Sequence, residues 1–129
     1  MSGTPEVAPV RRLIDQTRVV AYAQASRDLN PMHTDPAVAA ATDFGRPVAH
    51  GMLVLALVSE AMTATFGARW AEAGALKVRW RAPATQPVTV TASAETRGVK
   101  DGVAAYNVRC EDEHGTVLLT GTASVRLEP

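Results

Sequence analysis

The chain has one cysteine, no excess of either charge and no long apolar run, and each shortage removes a class of explanation. Cys110 alone excludes an internal disulfide and is compatible with a reducing compartment. Thirteen Lys plus Arg balance thirteen Asp plus Glu, so there is no global electrostatic case for nucleic acid or an anionic membrane. Any phosphate-bearing ligand must meet a local patch. The longest apolar run, Met52 to Val58, stops at Ser59 and Glu60, far short of the roughly 20 residues of a bilayer span. Met1 to Pro9 has neither the basic nor the apolar region of a secretory signal. The expectation is a soluble, cytoplasmic protein without nucleic-acid or membrane partners. With no internal repeat, the 129 residues read as a single domain over 1–129, long enough to bury a core, with 1–9 as a flexible lead.

What is there begins with Ser26-Arg27-Asp28-Leu29-Asn30-Pro31-Met32-His33. Pro31 has no backbone N–H and pushes Asn30 out of the helical region, so the run from Asp28 to His33 is expected to bend rather than continue as helix. On a bend Asp28 and His33 can converge on one water, an arrangement suited to general acid-base chemistry. Asp, Asn and Pro are also ordinary turn formers, so by itself the run reads equally as a plain turn.

Around it the pattern is regular. Val10 to Ile14 reads as a short edge strand, Asp15 or Thr17 as an N-cap, and the residues to Ala25 as a short helix. Asp35-Pro36 starts an Ala-rich helix ending near Thr42. Gly51 to Phe66 is the strongest helix, and its first two turns are apolar in every direction, which predicts burial on all sides. Four segments then alternate with period two: Leu76 to Ala82, Val88 to Glu95, Ala104 to Glu111 and Val117 to Leu127. Turn residues at Gly98 to Gly102 and Asp112 to Gly115 make them antiparallel hairpins. The predicted fold class is α+β, an antiparallel sheet wrapped around a central buried helix. Its unpaired sheet edges favour a homodimer or larger assembly.

The Asp28-x-Asn30-Pro31-x-His33 motif, followed by Ala49-His50-Gly51-Met52 and the strand end Trp80-Arg81-Ala82-Pro83, resembles the MaoC-like dehydratases, or R-specific enoyl-CoA hydratases, of the hotdog fold. The resemblance runs from about Val19 to Leu127. It implies reversible addition of water to a trans-2-enoyl thioester, giving the R-3-hydroxyacyl thioester, with no cofactor. Asp28 and His33 would be the catalytic pair and Gly51 the donor to the thioester oxygen, at the positive end of its helix dipole. Asn30 and His50 would support them from behind. The partner is then an acyl-CoA or acyl-carrier-protein thioester. A non-catalytic or partner-dependent subunit that binds an acyl thioester, within a heteromer, is the alternative; a thioesterase of the same fold is a weaker one.

Other readings are set beside this one. A metal held by Asp28, His33, Asp35 and His50 lacks any recognised ligand spacing, so none is expected. His114 reads as a solvated turn residue and Cys110 as a small buried hydrophobe. Lys77, Arg79 and Arg81 read as a wet sheet face or as part of a patch that meets a phosphopantetheine arm. Two positions depart from the family pattern: Arg27 stands where glycine usually precedes the aspartate, and Ala84-Thr85-Gln86-Pro87 replaces a Pro-Gly-Asp turn. If the first position takes positive φ, Arg27 brings strain.

Overall fold

Residues 3–127 are described by a computed structural model. Strand β1 (Val10–Ile14) leads into helix α1 (Gln16–Ser26), two short helices α2 (Pro31–Thr34) and α3 (Pro36–Ala40), and the long helix α4 (Gly51–Phe66). A further turn of helix, α5 (Ala68–Ala73), is followed by β2 (Gly74–Trp80), β3 (Val88–Lys100), β4 (Val103–Asp112) and β5 (Val117–Arg126). The strands form one sheet in the order β1-β3-β4-β5-β2, every neighbour antiparallel. No helix among the described residues is long and apolar enough to cross a membrane.

The apolar run of α4 settles onto β1, β3 and β4. Leu53, Val54, Leu57, Val58, Ala61 and Met62 are buried there against Val90, Ala92, Tyr106, Val108, Cys110 and Val125. Each large aliphatic side chain so covered contributes about 1.5–3 kcal/mol of transfer free energy. Burial on all sides is not what the chain achieves, however. Met52 stays 54 % exposed and Leu55 and Ala56 are only half-covered, because the sheet covers one face of α4 and this side of its first turns stays open.

Differences from the sequence reading have local causes. The second predicted strand runs on to Lys100 because a bulge between Thr96 and Gly98, with Gly98 at φ 111°, breaks the period-two pattern without ending the pairing. The hairpin then turns on Asp101 and Gly102 alone, both at positive φ, as a two-residue connection requires. The strand predicted to reach Ala82 ends at Trp80, after which the N–H groups of Arg81 and Ala82 both turn to the carbonyl of Leu118. The lead predicted to be flexible is anchored over its described part: Val7 is buried, and the Tyr106 hydroxyl donates to the carbonyl of Pro5 at 2.7 Å. Met1 and Ser2 lie outside the described residues.

Candidate active site

Asp15 caps α1 by accepting from the N–H of Arg18, and the helix ends at Ser26 because Arg27 adopts the left-handed conformation, φ 64° and ψ 18°. The chain then turns back on its own side chains. Asp28 N–H donates to Ser26 Oγ, Asn30 N–H to Asp28 Oδ1 at 3.4 Å, and Met32 N–H to Asn30 Oδ1 at 3.1 Å. The predicted bend is therefore confined to residues 27–30. Pro31 opens a single helical turn with Asn30 as its N-cap, and this turn carries His33 inward. Asp35 immediately caps α3 through Ala37 and Val38.

Asp28 is exposed, while His33 and His50 are buried at 8 % and 2 % exposure. One ligand atom from each of the three lies within 4.8 Å of the others. The carbonyl of Val48 can only accept, so His33 Nδ1, 2.8 Å away, carries a proton and its Nε2 keeps a lone pair when the ring is neutral. By the same reasoning His50 Nε2 donates to the backbone carbonyl of Asp28 at 3.0 Å. The two rings stack with centroids 3.8 Å apart and planes 24° apart, and Tyr22 tilts against His50 at 4.9 Å. His50 thus holds the peptide of one member of the pair and the ring of the other.

The same stacking bears on the metal question. Ring lone pairs lie in the ring planes, and two nearly parallel, overlapping imidazoles do not aim them at a common point as metal ligation requires. Asp35 is outside this cluster, and its Oδ1 accepts the two N–H groups of the α3 cap.

Gly51 begins α4, where first-turn N–H groups have no helical acceptor. A Cβ at this position would sit 2.8 Å from Trp80 Nε1, and that indole N–H donates to the Gly51 carbonyl at 3.1 Å. A side chain at this position would have to push the indole aside, so glycine is what lets the two lie in contact. The segment leading to it is pinned to the sheet side through Ala49 N–H to Ala84 O at 2.8 Å and a bridge between Val48 and Thr85.

Gln86, which the sequence marks only as part of an altered turn, has a role at the site. It is 5 % exposed, its backbone N–H donates to Pro47 O, and its side-chain Nε2 donates to His33 O at 2.8 Å. A glutamine beside a proline in a loop carries no periodic signal, and its partners His33 and Pro47 lie far back in the chain, before α4. Cys110 is buried, with a thiol pushed up to about 12 by desolvation, and His114 is exposed on its turn. A hollow of about 1050 Å³ on the outer sheet face, among Lys77, Arg79 and Arg109, includes neither Asp28 nor His33. Smaller cavities of about 380 and 510 Å³ do contain His33 and Asp28, respectively.

Comparison with known proteins agrees with this architecture. The family model described as MaoC like domain matches residues 2–117. The chain is 32% identical over 111 residues to an (R)-specific enoyl-CoA hydratase of Aeromonas caviae, covering 84% of this chain and 83% of that one. It is 37% identical over 92 residues to 3-hydroxyacyl-thioester dehydratase Z of Mycobacterium tuberculosis, covering 68% of this chain and 61% of the relative. The solved (R)-hydratase from A. caviae involved in PHA biosynthesis superposes with a TM-score of 0.85 at 28% identity, over 97% of this chain and 96% of that one. With its antiparallel sheet against a long helix and its match over most of the sequence, the chain belongs to the MaoC-like family and has the hotdog fold.

Proposed function

We propose that this single-domain chain adds water reversibly across the C2–C3 double bond of trans-2-enoyl thioesters, giving R-3-hydroxyacyl thioesters. The observation that carries the reading is the approach of Asp28 and His33 ligand atoms to within 4.8 Å, a gap one water can bridge, in a family whose relatives include an enoyl-CoA hydratase and a hydroxyacyl-thioester dehydratase. The water donates to the Asp28 carboxylate and to the His33 Nε2 lone pair. As its oxygen bonds to C3, negative charge moves to the thioester oxygen, which the Gly51 N–H and the dipole of α4 receive. The pair takes one proton from the water and returns one to C2, so H and OH are added and the protein ends as it began. Asn30 holds the bend and His50 holds both reacting groups in place.

The test follows loss of enoyl-thioester absorbance with crotonyl-CoA and longer enoyl-CoAs. Asp28→Asn and His33→Ala are each expected to lower kcat/KM by about 10²-fold or more. Unchanged turnover in both sinks the assignment.

A second reading is a subunit that needs a partner to act. It is favoured by the apolar rim beside the exposed Asp28, where Leu29, Met52 and Trp80 are 64 %, 54 % and 50 % exposed. A second copy paired along an open sheet edge, β1 or β2, would cover such a rim and make a homodimer. Size measurement of the active species separates the cases: activity in a homo-oligomer of this chain supports the first, and activity only after adding a different chain supports the second.

A further inference from the structure

Two cavities meet over the start of α4, and their walls differ in chemistry. The cavity of about 380 Å³ contains His33 and is walled mostly by apolar side chains, Phe44, Val54, Pro83 and Leu118 among them, with Arg81 as its one other charged or titratable residue. The cavity of about 510 Å³ contains Asp28 and is walled by Tyr22, Ser26 and His50, with Met52 as an apolar side chain among these hydrogen-bonding groups. Gly51 and Trp80 belong to both. The indole is pressed onto Gly51, close enough that a methyl group there would overlap it, and its N–H holds the Gly51 carbonyl. Trp80 therefore stands between the cavities rather than at the back of either.

A substrate with its oxygen at the Gly51 N–H and C3 between Asp28 and His33 has to cross Gly51, one end in each cavity. Its tail is hydrocarbon, and burial stabilises it only against an apolar wall. The carrier's pantetheine arm bears amides, which need hydrogen-bond partners when they leave water. Phe44, Val54, Pro83 and Leu118 suit the first, and Tyr22 and Ser26 suit the second.

We propose that Trp80 is a specificity-determining residue: it divides the site into an apolar arm for the acyl chain and a polar arm for the pantetheine thioester, and it holds the Gly51 peptide by its indole N–H. This rests on the hydratase reading for its substrate class. Because β2 is an edge strand, the wall has a hydrogen-bonded neighbour strand, β5, on one side only, and its position depends on the Gly51 hydrogen bond and the anchoring of Arg81 to Leu118.

The experiment compares kcat/KM across enoyl-CoAs from crotonyl to dodecenoyl in wild type, Trp80→Phe, Trp80→Ala and Phe44→Ala. Trp80→Phe, which keeps a wall and loses the N–H, is expected to lower kcat while preserving the order of preference. Trp80→Ala and Phe44→Ala are expected to change the ratio of long to short substrates by about tenfold, Phe44→Ala in favour of long ones. An unchanged order in both alanine variants overturns the proposal, as does a changed order produced by Ser26→Leu alone.

Binding is read separately with saturated butyryl- to decanoyl-CoA, which have no double bond to hydrate, in a Trp70→Phe background where Trp80 is the sole tryptophan. A saturable change in indole emission is expected, even from a protein that proves unable to hydrate; that combination removes the hydratase reading and supports the cavity assignment. Active enzyme with no emission change overturns the role of Trp80. Any misfolding of Trp80→Ala leaves this measurement, made on the native residue, decisive.

Discussion

At the scale of single residues, Arg27 and Gln86 shape the backbone around Asp28 and His33. Arg27 sits at φ 64° as the C-cap of α1, a conformation that costs a residue with a Cβ about 1 kcal/mol relative to glycine. Arg27→Gly should raise stability by about that amount, seen as a few degrees in Tm with the hydratase activity retained. A lower Tm would mean that the guanidinium makes a compensating contact. Gln86 ties the His33 peptide to the loop that also holds Pro47. In Gln86→Met the side chain keeps its length and loses its donor, so kcat should fall with KM little changed, and the pH profile of kcat should shift as His33 is repositioned. A fall in Tm with unaltered kinetics would make Gln86 purely structural. Asp28, Asn30, His33 and Gly51 were all legible as a motif; Gln86 was not, because its importance comes from a contact with His33 across the fold.

At the scale of elements, local signals placed most boundaries. Asp15, Asn30 and Asp35 each cap the helix that follows, the last two with proline at its first position. Asp35 accepts from two N–H groups at the joint between α2 and α3, directly after the turn that carries His33. Asp35→Ala should cost about 1 kcal/mol in a denaturant titration. A larger loss of activity than of stability is expected as well, since α2 would fray toward His33. The strands were legible where alternation was unbroken, as from Val88 to Ala94, and misjudged where it was not. The bulge at Thr96–Gly98 hid the far half of β3, and the free edge of β2 left Trp80 half exposed despite its inward position in the pattern.

At the scale of the whole molecule, the buried thiol of Cys110 links stability to pH. It lies on β4 facing α4, its Sγ 3.7 Å from the carbonyl of Val54, and it ionises in the fold only near 12, against 9.0 in an open chain. The fold favours the neutral thiol, so this contribution is complete below pH 9 and is lost as pH rises from 9 toward 12. The loss is about 1.4 kcal/mol per unit within that window. Cys110→Ala should flatten the fall of stability between pH 9 and 11 relative to wild type, after the constant cost of the cavity is subtracted. Equal slopes would show that the thiol does not titrate with unfolding. The raised value also predicts a native thiol inert to alkylation at pH 8 that reacts once the chain is unfolded.

The sequence by itself determined the strands, three of the helices, the antiparallel sheet and the Asp28–His33–Gly51 motif, but not the short helices α2 and α5, because caps, prolines and apolar periodicity act within a few residues of where they are written and single helical turns carry little of that signal. Tertiary structure alone decided that the first turn of α4 stays open and that Arg27 takes positive φ. It also brought His50 to stack on His33, Gln86 to the His33 peptide and Trp80 onto Gly51. Those contacts join parts of the chain that no local rule relates. They are set by sheet register and by donors and acceptors that find their partners across the fold.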